Sequence, residues 1–324
     1  MKTALSPGRF SHSLPLLLLV AAAALPFLWR DPYYLQILLF GFLFATLGSA
    51  WNLVGGYAGQ LSLGHAAFFG VGAYAVALLG ERGWSPWVAW LAGGVLAVPF
   101  ALFIGSVAFR LRGPYFALST IALAEILHLV TKHSEFTHGA VGAQVPSLFS
   151  GDMSRLLYYE LALALLAVVV TVTAWLASSR TGYYWMAIRE NEDTAQAITI
   201  NTAAYKLLAL VISAFFTALA GGIYGSYLSF IAPEVVLSFD ISAQAAIFSI
   251  LGGVGTIWGP VVGASILTLA SELFRSQFKD ANLLIYGLLI ILVVLYMPKG
   301  VVGVLSERLA KRRAARAAAA SIRA

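Results

Sequence analysis

The stretch that decides the fold is Trp51–Ala75, WNLVGGYAGQLSLGHAAFFGVGAYA. It is as apolar as a membrane helix, yet it holds Gly55, Gly56, Gly59, Gly64, Gly70 and Gly72 together with Gln60, Ser62 and His65. A helix facing lipid gains nothing from so much glycine, each one weakening it by about 1 kcal/mol relative to alanine. Gly55 and Gly59 form G-x-x-x-G, and Ala66 to Gly70 repeats the small-residue spacing that lets two backbones approach. Gln60, Ser62 and His65 are expensive against hydrocarbon, so they face protein or a water-filled cavity. The stretch reads as a broken, tightly packed segment inside a multi-helix bundle, beside a path for something polar.

The rest of the chain supplies that bundle. Of 324 residues 60% are hydrophobic and 10% charged, against about 25% charged in a soluble domain. Length alone suggests two soluble domains, but apolar runs of membrane-spanning length recur from end to end. The predicted fold class is therefore all-α, a polytopic membrane helical bundle of about nine to ten spans. The spans fall at Leu14–Trp29, Tyr33–Val54, Leu63–Leu79, Trp84–Phe109, Pro114–Val130, Tyr158–Ala177, Ala203–Leu228, Ile241–Leu251, Gly259–Leu273 and Leu283–Met297. Two are short enough to be partial or tilted. Residues 1–12 form an N-terminal tail, 13–298 the transmembrane domain and 299–324 a basic tail. Lys2 and Arg9 ahead of Leu14–Trp29 resemble a secretory signal with Ala21–Ala24 as its cleavage region, but the spans that follow at once favour an uncleaved first helix.

Charge orients the bundle. With the N-terminus inside and ten crossings, the inner loops carry Lys2, Arg9, Arg110, Arg112, Arg180, Arg189 and Lys206, and the inner tail carries seven more basic residues. The outer loops carry Arg30, Arg82, Lys132, Arg155, Arg275 and Lys279, a bias that fits the positive-inside rule. The same placement explains the net charge of +6 without nucleic acid. The tail after Val304 reads as a basic surface helix near anionic lipid headgroups. Zero cysteines exclude a disulfide framework or a thiolate metal site. His133, Glu135, His138 and Asp152 in the outer loop match no metal-ligand spacing and read as solvated side chains.

Between Ala177 and Ala203 the chain reads SSRTGYYWMAIRENEDTAQAITINT, polar in an otherwise apolar sequence. The acidic run Glu190–Asp193 suits the N-terminus of a short helix over Thr194–Ile198. Trp185, Met186 and Ile188 before it, with Ala197 and Ile198 after it, supply an apolar side. Such a helix either docks in a partner's groove or lies on lipid. The net charge of −1 over Arg180–Asp193 suits anionic lipid poorly and favours a protein. A weak internal echo joins Leu53-Val54-Gly55-Gly56 to Leu251-Gly252-Gly253, which runs on through Gly255 to Gly259 and Gly263. Glycine pairs that interrupt corresponding spans are expected where transport proteins place a substrate path.

These residues resemble one family, the permease subunits of branched-chain amino acid ABC importers, specifically the LivM type. The likeness rests on five ordered blocks: Gly55 to Ala66, Arg110-Leu111-Arg112-Gly113-Pro114-Tyr115-Phe116-Ala117, Arg189-Glu190-Asn191-Glu192 with Ile200-Asn201, Leu251 to Gly263, and Pro298-Lys299-Gly300. It implies a multi-pass protein of the bacterial inner membrane with both termini in the cytoplasm. It also implies a second homologous permease (LivH-like), two cytoplasmic ABC ATPases and a periplasmic or extracellular solute-binding protein. The loop 180–203 becomes a cytoplasmic coupling helix, with Arg189, Glu190, Glu192 and Asp193 as its contacts to an ATPase. No G-x-x-x-x-G-K-[ST] phosphate loop occurs in the chain, so ATP is expected to be hydrolysed by partner subunits and no cofactor is expected on this one. Relatives usually carry glycine where this sequence has Thr199, and a Gly-Gly-x-x-Gly pattern where it has Thr137 to Gln144.

Within the bundle, Glu125 with His128 at i+3 and Thr120 before them reads either as a polar stripe along the path or as a solvated pair near the outer end of its helix. His65 reads as a hydrogen-bonded packing residue at a broken helix, ahead of a proton carrier. Gln60 and Ser62 offer uncharged donors and acceptors to a passing zwitterion, and Gly252, Gly253 and Gly255 complete the expected path and packing set. The solute is expected to be a branched-chain or related hydrophobic amino acid. Urea, short amides or aromatic compounds are the alternatives, as is a self-sufficient channel or secondary transporter. A membrane-embedded enzyme finds no support, since no H-E-x-x-H or G-x-S-x-G occurs. The absence of cysteine makes sidedness directly measurable: single cysteines introduced between 180 and 203 should react with impermeant maleimide from the cytoplasmic side. Labelling only from the opposite side would overturn the topology.

Overall fold

Proline opens four of the helices, where its missing N–H costs nothing and its fixed φ favours the first turn. The computed structural model describes residues 31–151 and 153–277, together with 26, 287, 291, 295 and 300–304. Apart from those isolated positions, the expected first span Leu14–Trp29, last span Leu283–Met297 and basic tail lie outside the described residues, as does Asp152. The helices are α1 (Pro32–Asn52), α2 (His65–Glu81), α3 (Pro86–Ala108), α4 (Pro114–His133), α5 (Ser154–Ser178), α6 (Arg180–Glu190), α7 (Glu192–Ala197), α8 (Thr202–Leu228), α9 (Pro233–Val236), α10 (Phe239–Gly252) and α11 (Gly259–Gln277). A two-residue strand β1 (Ala143–Gln144) pairs antiparallel with β2 (Phe230–Ile231).

Among the described residues six helices are long and apolar enough to cross a membrane, with α1 continued to Tyr57 and α9 joined to α10. Two shorter apolar helices, His65–Glu81 and Gly259–Leu273, accompany them. These eight segments coincide with eight of the ten expected spans, and the chain is a multi-pass helical membrane protein. The exposed flank of α3 is made of apolar side chains such as Val88, Leu91, Val95 and Phe103, as a lipid-facing surface requires.

Two groups of helices pack together. In the first, α2, α3 and α8 meet at close range: a methyl on Gly72 would lie 1.9 Å from the Ala218 carbonyl oxygen. Trp90 Nε1 donates to the Leu219 carbonyl across the same interface at 2.8 Å. In the second, α1 packs on α5, α10 and α11, with Ser249 Oγ donating to the Gly48 carbonyl at 2.7 Å. The Gly259–Gly263 repeat serves the close approach expected of it, since a Cβ on Gly263 would meet the Phe248 carbonyl at 2.0 Å. Gly55 and Gly59 do not act as such a pair: a Cβ on Gly59 would meet the Arg189 backbone at 3.0 Å, whereas one on Gly55 would meet the Trp51 ring. The helix widens there into a π turn over Leu53–Tyr57, and Gly59 turns left-handed at φ 70°, so the pair never shares a helix face.

The contacts sort the loops into two ends. At one end Arg112 reaches Asp193, Arg189 reaches Gly56, and Asn52 reaches Gly255. At the other, His138 pairs with Glu81, Lys132 pairs with Glu234, and β1 pairs with β2. Tyr33 hydrogen-bonds Glu272 at this second end. The first is the arm end, after the α6–α7 pair, and the second is the hairpin end.

Candidate functional site

The site is built on backbone that has left its helices. After Tyr57 the chain turns at Gly59 and climbs back extended to His65. His65 lies opposite Ser213, eleven residues into α8, or about 16 Å along that helix at 1.5 Å per residue. The second half of the expected span is therefore a short helix that begins well inside the bundle. Backbone groups freed by such a break need partners in a membrane interior, and side chains supply them. Trp51 Nε1 donates to the Ser62 carbonyl at 2.6 Å, Leu63 N donates to Thr120 Oγ1 at 3.0 Å, and Ala66 N donates to Ser242 Oγ at 2.8 Å.

The polar residues named from the sequence divide accordingly. His65 is fully buried, its Nδ1 hydrogen-bonded to Ser62 Oγ at 3.2 Å and its Nε2 to Ser213 Oγ at 2.8 Å. Ser62 and Thr120 are buried with it, and Gly64 packs against the Thr120 backbone. These residues hold the break together and do not face a wide aqueous route. Gln60 is half-buried, with one long bond of 3.4 Å to the Ala58 carbonyl.

The second break, Gly253–Trp258, touches the first. Gly252, just before it, packs against the Gly259 backbone, while Gly253 and Gly255 have φ of 134° and 75°. Asn52, at the end of α1, is buried; its Oδ1 accepts from Gly255 N at 2.8 Å and its Nδ2 donates to the Thr256 carbonyl at 2.9 Å. The two glycine breaks that follow the echoing segments are thus in contact, through Asn52 and Gly56 on one side and Gly255 and Thr256 on the other. Asn52 escaped the sequence reading, although an amide within an apolar run just ahead of a glycine pair is a legible signal for backbone capture.

The arm differs from its expected form. Its longer helix is α6, and α7 begins at Glu192, two residues before the predicted Thr194. Asn191 provides the N-cap, its Oδ1 accepting from Thr194 N at 2.9 Å, which leaves Glu192 and Asp193 in the first turn where the dipole favours them. The apolar residues expected to meet a partner are largely used at home: Trp185 is fully buried and donates Nε1 to the Tyr205 carbonyl at 2.7 Å, and Ile188 is buried. Ala197 and Ile198 of that set are exposed, and Met186 is half-buried.

Three of the four charged arm residues have partners within the chain. Arg189 Nη1 donates to the Gly56 carbonyl at 2.7 Å. Glu192 accepts from Lys206 Nζ at 2.6 Å, and Lys206, its side chain 2% exposed, also lies 5.3 Å above the Phe109 ring. Removing one member of such a buried pair costs about 3–5 kcal/mol. Asp193 pairs with Arg112 at 2.7 Å on an open surface, a contact of about 1 kcal/mol at most. Glu190 is exposed and, among the described residues, without a hydrogen-bond or ionic partner.

Glu125 is an exposed carboxylate in the middle of a span. It lies eleven residues past Pro114 and eight before His133, so both helix ends are more than about 10 Å away. Its carboxylate is 3.4 Å from His128 Nδ1 and its side chain is 54% exposed. Tyr115, Leu118, Ala122, Ile126 and Leu129 share the exposed side of α4. At the end of α4 and in the loop after it, His133 Nδ1 bonds the Leu129 carbonyl and His138 pairs with Glu81 at 2.9 Å, so the two histidines serve separate contacts.

Residues 33–294 match the family described as "Branched-chain amino acid transport system / permease component". The chain is 30% identical over 314 residues to the high-affinity branched-chain amino acid transport system permease protein LivM of Escherichia coli, covering 87% of this chain and 73% of the relative. It is 27% identical over 307 residues to LivH of the same organism, covering 84% and 96%. BraD of Pseudomonas aeruginosa is 25% identical over 300 residues, again covering 84% and 96%.

Thr199 sits at φ 66°, in the left-handed region that glycine adopts freely. A β-branched residue there is strained by about 1–2 kcal/mol. Thr199→Gly should therefore raise the unfolding free energy by about 1 kcal/mol, read as a higher thermal midpoint in detergent. An unchanged or lower midpoint would count against the strain.

Proposed function

Because the chain belongs to the permease-component family of branched-chain amino acid transport systems, we propose that it is the membrane subunit through which an ABC importer passes branched-chain or related hydrophobic amino acids. The family match carries this reading, since it spans every described membrane helix. The chain works beside a second permease of similar fold, and its likeness to both LivM and LivH relatives supports that pairing. Two ATPase subunits hydrolyse ATP on the cytoplasmic side, and a solute-binding protein delivers cargo from outside. The arm end faces the cytoplasm. Arg110, Arg112, Arg180, Arg189 and Lys206 lie at it, against Arg82, Lys132 and Arg155 at the hairpin end, in the sense of the positive-inside rule.

The exposed face of α4 lines the path. A carboxylate at mid-span costs about 3 kcal/mol against lipid, so Glu125 needs water or protein before it. An aqueous route shared with the second permease supplies both, and Glu125 with His128 gives a zwitterion a weak polar foothold. At the arm, Glu190 is the charge available to an ATPase, whereas Glu192 holds the arm to α8 through Lys206.

Two substitutions separate these roles in proteoliposomes holding all the subunits. Glu190→Lys should reduce ATPase capture and uptake about tenfold, the effect of an interfacial charge worth about 1.4 kcal/mol, while leaving the isolated chain's thermal midpoint unchanged. Wild-type capture would remove Glu190 from the interface. Glu125→Gln should lower uptake several-fold with ATPase capture intact, and wild-type uptake would show that the path does not pass Glu125.

A further inference from the structure

Arg189 is an exposed arm residue whose guanidinium reaches the first break. Its Nη1 donates to the Gly56 carbonyl of the first break at 2.7 Å, while a methyl on Gly255 of the second break would lie 2.3 Å from the same nitrogen. A methyl on Gly59 would fall 3.0 Å from Arg189 Cα, and one on Gly56 would fall 1.9 Å from Asn52 Oδ1. The glycines of both breaks thus leave room for two side chains. Asn52 ties the breaks to each other and Arg189 ties the arm to the pair. Each break also leads into a shorter apolar helix: the first through Ser62 and His65 into α2, the second through Gly259 into α11.

Hydrogen bonds of 2.7–2.9 Å weaken beyond about 3.2 Å, so keeping these bonds while the arm moves requires the breaks or the Arg189 side chain to follow. The rest of α6 is anchored by Trp185 to the Tyr205 backbone at the start of α8, which leaves the C-terminal end of α6, where Arg189 sits, as the point of contact with the breaks. We infer that Arg189, seated on the loops that Asn52 organises, is a positioning residue that passes displacement of the arm to both breaks at once, so that α2 and α11 answer together. This rests on the proposed docking of the arm to an ATPase, but assigns Arg189 to transmission within this chain and not to gripping the ATPase.

The test uses the complete reconstituted importer and measures ATPase capture, ATP hydrolysis and uptake separately. Arg189→Ala should keep capture and most of the hydrolysis while uptake per ATP falls about tenfold, within the range of coupling energies between sites. Arg189→Lys, which can still donate to the Gly56 carbonyl, should recover part of that ratio. If Arg189→Ala fails to fold, Arg189→Gln carries the same comparison. An unchanged uptake-per-ATP ratio overturns the inference, and so does a parallel loss of capture, hydrolysis and uptake, which would make Arg189 an ATPase contact or a mere structural prop. If even the wild-type chain captures no ATPase, the docking reading itself fails and takes this inference with it.

Discussion

A peptide group without a hydrogen bond inside a membrane costs several kcal/mol, and this protein breaks two of its helices there. Everything distinctive about the structure follows from satisfying that backbone. Trp51, Thr120 and Ser242 serve the extended stretch between Gly59 and Ala66, and Asn52 serves the turn at Gly255 and Thr256. These partners come from α1, α4 and α10, so the first break is stable only when the surrounding bundle is assembled.

The same requirement explains why the arm is partly internal. An arm that merely rested on the bundle would be held loosely, because exposed charge pairs such as Asp193 with Arg112 are weak. Burial of Trp185 and of the Lys206–Glu192 pair fixes the arm to α8, and Arg189 fixes it to the breaks. What remains outside on the arm includes Tyr183, Glu190, Asp193 and Ile198.

Much of this was legible in the residues. The glycine-rich run from Gly55 to Gly72 signalled a broken segment, and the charge cluster at 180–203 signalled an element outside the spans. The Asn191 cap was harder to find, because the adjacent carboxylates also suit a helix start and only geometry shows which side chain reaches Thr194 N. Lys206 was placed in an inner loop, where a basic residue is ordinary; its burial over Phe109 depends on a loop more than ninety residues away. Glu125 was left between two readings because helix depth, which separates them, is a property of the assembled span.

Composition and periodicity by themselves determined the membrane setting, the places of the spans and the first break, since these depend on local chemistry: apolar length and glycine content; the family likeness came from the order of its motifs. Only the tertiary structure decided which polar residues serve packing and which stay exposed. It turned His65, Ser62 and Thr120 inward, joined two glycine breaks two hundred residues apart through Asn52, and aimed Arg189 at Gly56. Those outcomes are hydrogen bonds between segments far apart in the chain, and a one-dimensional pattern holds no record of which donor will lie beside which acceptor.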